Sequence, residues 1–160
     1  MSVEITNESG RDVPLEILQD LVRFVLTQLR VHREAEVALI AVDETAMAEL
    51  HQQWMGEPGP TDVLSFPMDE LRPPKPGDDA PTGILGDIVL CPSVAERQAT
   101  TAGHSVMAEL QLLTVHGLLH LLGFDHAEPD EEREMFGLQN RLLEQFRGEG
   151  SALASGGATS

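Results

Sequence analysis

The chain has 160 residues, 41% of them hydrophobic, enough for one domain with a core of its own and too few for two ordinary domains. Its 27 acidic residues against 10 basic ones leave a formal net charge of -17. That summed field repels polyanions, so bulk electrostatics argue against nucleic acid and leave only a local gathering of arginines to hold phosphate. The single cysteine, Cys91, excludes an internal disulfide and any zinc site built from cysteines. The first residues lack the basic and apolar regions of a signal peptide, and no apolar run reaches bilayer length. A cytoplasmic protein with no membrane association is therefore expected.

In chain order, residues 3–5 alternate like an edge strand. Pro14 then opens a stretch to residue 31 in which Leu15, Leu18, Leu21, Val22, Val25 and Leu29 recur at helical spacing. Residues 37–42 (VALIAV) read as a buried strand, and Asp43 is placed to cap a helix over residues 44–54. A turn-rich bend over 55–60 leads to a brief strand at 63–66, stopped by Pro67. Residues 70–82 carry four prolines and no apolar period, which predicts a mobile loop bordering the active site. Strand character returns at 84–91, and Pro92 starts a short helix to about residue 99, with Gly103 as the break before the next. Ser105 and residues 107–122 give a long apolar helix. After a turn over 123–129, a last helix covers about 130–146, with Glu131, Glu132 and Glu134 near its positive end. These elements predict an α/β (α+β) domain over residues 1–147, a small mixed sheet of about four strands packed by about five helices. The Gly/Ser/Ala-rich residues 148–160 are expected to be disordered.

Chemistry concentrates in the string H-G-L-L-H-L-L-G-F-D-H over residues 116–126. His116 and His120 stand four residues apart, about one helical turn, so both imidazoles project from one face. Gly123 is placed where a helix can stop in the left-handed conformation, reversing the chain so that His126 returns to the same point. Three neutral imidazoles leave a tetrahedral ion its fourth position for water, the arrangement of a catalytic rather than a structural site. One Zn2+ per chain is expected, with other divalent metals as alternatives. His32, His51 and His104 have no partner at ligand spacing and read as solvent-exposed. Asp125 suits either an acceptor that orients an imidazole, a general base, or a loop cap. Met135 reads as core packing and Cys91 as a buried small hydrophobe.

The histidine spacing is metzincin-like, yet position 117 is Gly where H-E-x-x-H peptidases carry their general-base Glu, which counts against peptide hydrolysis. Taken with Pro60-Thr61-Asp62-Val63-Leu64-Ser65-Phe66-Pro67 and Leu85-Gly86-Asp87-Ile88-Val89, the string closely resembles the YbeY family of bacterial endoribonucleases and rRNA maturation factors, over about residues 3–146. The resemblance implies a zinc-dependent, single-strand-specific endoribonuclease acting in 16S rRNA maturation and ribosome quality control. It implies His116, His120 and His126 as ligands and Ser65 near the site. Its partners would be rRNA and ribosomal or small-subunit precursors, with no DNA. Many family members carry Arg directly after the aromatic residue that ends the second helix, whereas Met55 follows Trp54 here. A phosphate-binding cation is thus missing, and Arg97 is the substitute considered for it. Two other readings compete: a metal-dependent peptidase or small-molecule hydrolase, and a non-catalytic ribosome-assembly factor with structural zinc.

Overall fold

The computed structural model describes residues 2–31, 34–69, 71, 73–79 and 82–158, with side chains described as far as residue 148. Nine elements follow one another: β1 (Ser2–Asn7), α1 (Leu15–Gln28), β2 (Glu36–Ala41), α2 (Glu44–Met55), β3 (Val63–Pro67), β4 (Ile84–Leu90), α3 (Pro92–Ala102), α4 (Val106–Leu121) and α5 (Pro129–Ala158). The expected α/β architecture of four strands and five helices is thus observed among the described residues. The strands form one mixed sheet in the order β1-β2-β4-β3, with β1, β2 and β4 parallel and β3 antiparallel to β4.

The two sheet faces are covered unequally, and the strand sequences show why. Val3, Val37, Leu39, Leu85, Ile88 and Leu90 enter the main core with Leu18, Leu21, Val22 and Val25 of α1 and Leu110, Leu113, Leu118 and Leu119 of α4. Leu85 and Ile88, three residues apart, share that core because the β2–β4 register shifts between Glu36 and Val37, which leaves Leu85 as an extra residue. Gly86 makes the bulge possible: its φ is +141°, and a Cβ there would lie 2.3 Å from the Phe66 carbonyl oxygen. On the opposite face a smaller cluster of Val42, Met47, Leu64, Val89, Cys91 and Val94 packs under α2.

α4 is apolar on nearly all sides, as befits a helix buried between a sheet and other helices. Ser105 caps its start by accepting from the Ala108 N–H at 3.1 Å. Its end follows from glycine: Gly123 has φ +94°, its N–H donates to the His120 carbonyl and the Phe124 N–H to that of Leu119. This pair of bonds is the Schellman motif, and it reverses the chain directly after the second histidine.

Several boundaries differ from expectation. α1 ends at Gln28, since Arg30 adopts a left-handed conformation (φ 59°), and α3 continues three residues past Ala99 to the Gly103 cap. α5 runs to Ala158, through the segment expected to lack structure: extending a helix already nucleated costs far less than starting one. Of the expected mobile loop over 70–82, residues 70, 72, 80 and 81 lie outside the described set. Within the rest Leu71 is buried in the main core, and the Ile84 N–H donates to the Asp69 carboxylate at 2.8 Å, so the segment is anchored at both ends. Met135 and Cys91 are fully buried.

Candidate metal centre

α4 and the turn after it bring His116, His120 and His126 together, each offering a ring nitrogen within 4.8 Å of the others. Their ring centroids lie 4.6, 5.6 and 5.2 Å apart. The Nε2 atoms of His116 and His120 approach to 3.1 Å, close to the ~3.3 Å expected between two nitrogens on one tetrahedral ion at ~2.0–2.1 Å. His116 donates its Nδ1–H to Gln139 Oε1 at 3.0 Å, which directs the Nε2 lone pair inward, and His120 has a backbone partner at Phe124. Two inward nitrogens at that distance fit a shared cation, so the donor set suits a divalent metal ion.

Burial favours the form a ligand needs. Removal from water pushes the pKa of His116 below its ordinary 6.5, and Gln139 only partly opposes this. His120 is lowered too, first by burial and then by the neighbouring histidines. Both rings are therefore neutral at pH 7. α5 supplies the support: Phe136 stacks on His116 and on His126, each at 5.9 Å, and Gln139 lies one turn further along the same face. Gln139 is buried, and it sits on the apolar stripe formed by Met135, Leu142 and Leu143. A lone polar residue on such a stripe calls for a buried partner, but the sequence spacing does not say that the partner is His116.

The cleft beside the histidines is lined by Met55, Asp62, Val63, Leu64, Ser65, Pro67, His116 and His120. Ser65 lines this cleft, and its hydroxyl donates to the Gly117 carbonyl at 2.9 Å, so it ties β3 to α4. Gly117 itself faces the sheet: a Cβ would meet Ile88 Cγ2 at 3.0 Å, Ser65 Oγ at 3.1 Å and Val63 Cγ2 at 3.2 Å. The position where a peptidase has its Glu is thus pressed against the sheet, where even a Cβ would require its neighbours to give by a few tenths of an ångström. Asp62, which the sequence presents only as part of a block, is the one carboxylate lining the cleft among the described residues, and its field acts on His116. Its Oδ1 accepts from the Val63 N–H at 2.7 Å and from the Thr61 hydroxyl.

Asp125 caps the turn, accepting from the His126 N–H at 2.7 Å. It lines a separate cavity with Pro73, Gly123 and Glu134, where the proline-rich loop meets the third histidine's turn. Arg97 is not brought to the cleft. Its guanidinium donates to Glu44 at 2.7 Å, joining α3 to α2, and Ser93 donates to the same carboxylate. These two bonds draw Glu44 down from 4.5 to about 2. His51 is not solvent-exposed as expected: its ring contacts the Gly59 carbonyl and Glu57, latching the bend after α2. His104 pairs with the buried Glu109, and His32 lies outside the described residues.

A profile of the Endoribonuclease YbeY family matches residues 4–147. The chain belongs to this family. An Endoribonuclease YbeY from Clavibacter michiganensis subsp. michiganensis (strain NCPPB 382) is 64% identical over 146 residues, which cover 91% of this chain and 95% of the relative. The Endoribonuclease YbeY of Thermobifida fusca (strain YX) is 60% identical over 147 residues, covering 92% and 95%. The solution structure of a Thermotoga maritima protein superposes with a TM-score of 0.64 at 30% identity, over 96% of this chain and 94% of that one. Membership in this family fits the histidine cluster.

Proposed function

We propose that the chain is a zinc-dependent, single-strand-specific endoribonuclease that acts in the cytoplasm on rRNA, in 16S maturation and ribosome quality control. Residues 1–147 form its hydrolase domain. The observation that carries this reading is the convergence of three histidine nitrogens, those of His116 and His120 beside an open cleft, in a chain of this family. His116, His120 and His126 would hold the ion. When bound, such an ion withdraws charge from a phosphoryl oxygen and lowers the pKa of water toward ~7.

The remaining work falls to the chain's own groups. Gln139 holds His116 in the tautomer that leaves Nε2 to bind, and Phe136 keeps the His116 and His126 rings from turning away. The Ser65–Gly117 bond fixes the pitch of α4 against β3, so cleft and ligands move as one body. Asp62, the carboxylate that lines the cleft with His116 and His120, is the group suited to take up the proton of the attacking hydroxyl as its oxygen bonds to phosphorus and the bond to the leaving ribose oxygen breaks, that oxygen taking a proton from solvent. If that hydroxyl is the ribose 2′-OH, the products end in a 2′,3′-cyclic phosphate; if it is water, they do not. We assign Arg97 no phosphate contact, because its guanidinium is paired with Glu44 and it does not line the cleft.

The test pairs metal analysis of purified protein with cleavage of single-stranded and duplex RNA, with and without chelator. About one zinc per chain and chelator-sensitive cutting of the single strand are expected. Protein that carries zinc yet never cuts RNA above a nuclease-free control would leave the assembly-factor reading in its place. Cleavage of casein is not expected, since Gly117 stands where H-E-x-x-H peptidases carry their general-base Glu.

A further inference from the structure

We propose that Trp54 is a stacking platform for an unpaired nucleobase next to the scissile phosphodiester, so that base stacking rather than phosphate contact holds the substrate. This rests on the endoribonuclease reading above and adds how that site grips its strand.

Trp54 stands at the end of α2 with 60% of its surface exposed. The indole is nevertheless held in place, edge-to-face on Phe66 with centroids 5.9 Å apart. Trp54, Phe66, Met68, Leu50 and Ile40 line a groove of about 740 Å³. Ser65 and Pro67 line both this groove and the histidine cleft, and Met55, the residue after Trp54, lines the cleft. A strand with its phosphodiester at the histidines therefore has an aromatic face beside it, across the same edge strand.

Charge decides what occupies the groove. No Lys or Arg lines either space among the described residues, whereas Asp62 lines the cleft and Glu8, Glu49 and Asp87 line the groove. With a net charge of -17 behind them, these surfaces gain nothing from releasing counterions from phosphates. A nucleobase is the part of RNA that brings apolar area without charge, and stacking on an indole tolerates any base. Bases inside a duplex have both faces occupied, so a platform of this kind selects single strands.

The chain has a single tryptophan, so its intrinsic fluorescence reports on Trp54 alone. The probe is a ten-nucleotide 2′-O-methyl single strand, which resists cleavage, titrated into the zinc-loaded full chain. Two controls are used: the same backbone without bases, and the strand annealed to its complement. Quenching is expected with the single strand and with neither control. Trp54→Ala should weaken binding roughly 10- to 100-fold by anisotropy, with Trp54→Phe in between. Zinc affinity should be unchanged in both variants, which shows that the centre still folds. The salt slope should be shallow, and Met55→Arg should steepen it by about 0.7, one added phosphate contact.

Quenching by the baseless strand, or wild-type binding by Trp54→Ala, overturns the proposal. So does RNA cleavage without any change in Trp54 fluorescence, which leaves the endoribonuclease reading standing. Quenching by the single strand in a protein that cuts no RNA upholds the platform and removes that reading instead.

Discussion

The two faces of the sheet show how one small domain separates holding a centre from holding a substrate. On the side of α1, α4 and α5 the core is continuous, and its polar groups are tied down, as in His116 to Gln139, Ser65 to Gly117 and Thr114 to the Leu110 carbonyl. On the other side α2 covers only a small cluster and leaves Trp54 and Met68 open to solvent. The strand β3 belongs to both, turning Ser65 to the first and Phe66 to the second. A metal centre needs side chains fixed to fractions of an ångström, which dense packing supplies. A surface that receives a flexible strand needs to be accessible, and a thin cover supplies that.

The sharpest way to break this comparison is at the centre. His120→Ala should abolish metal uptake and RNA cleavage together, measured by elemental analysis and a gel assay on the same preparation. Cleavage at the wild-type rate by metal-free His120→Ala would remove the centre from the chemistry. Gly117→Ala comes next, because its methyl group would press on Ile88, Ser65 and Val63 at once. Overpacking of this kind costs roughly 1–3 kcal/mol, so the melting temperature should fall by several degrees and cleavage with it. Gly137→Ala on α5 is the contrast, as nothing lies within 4 Å of its added methyl. Alanine there should stabilise the helix by about 0.5–1 kcal/mol. Equal effects at the two glycines would mean that the α4 face is not tightly packed.

Gln139→Leu should act on the metal without unfolding the core. Leucine suits the apolar stripe of α5, yet it returns His116 to a free choice of tautomer. A loss of 10–100-fold in zinc affinity is expected by chelator competition, with the melting temperature of the metal-free protein unchanged or raised. Unchanged affinity would show that the histidine orientation comes from packing against Phe136 alone.

How much of this the sequence carries depends on the range of the interaction. The histidine centre is legible because its parts are local: a helical turn separates His116 from His120, and one glycine cap returns His126. The element types are legible for the same reason. Gln139, 23 residues from His116, is not, since nothing in the spacing says that α5 crosses α4 at that point. Nor is the bulge at Leu85, which depends on how β2 and β4 register. Arg97 is the converse case. As a cation it suits phosphate, but its partner Glu44 lies 53 residues earlier, and only the fold brings the two together.

That pair gives the smallest effect and a direct check on the division between the faces. Glu44 has its pKa drawn from 4.5 to about 2, by the hydrogen bond from Arg97 first and that from Ser93 second. A carboxyl lowered in the folded state contributes stability that is complete above its unfolded value and lost as pH falls through the folded one. The contribution should therefore be present above about pH 4.5 and disappear between there and about pH 2. Arg97→Met removes its main source. The melting temperature of the variant should lie slightly below wild type at neutral pH, slightly because the pair is exposed to solvent, and the two curves should converge on acidification. RNA cleavage at pH 7 should be unchanged in both kcat and KM, because the pair joins α2 to α3 away from the histidines. A raised KM with normal melting would place Arg97 on the substrate and move phosphate binding to the α2 side. The same result, unaltered by Trp54→Ala, would mean that cation and not indole holds the strand.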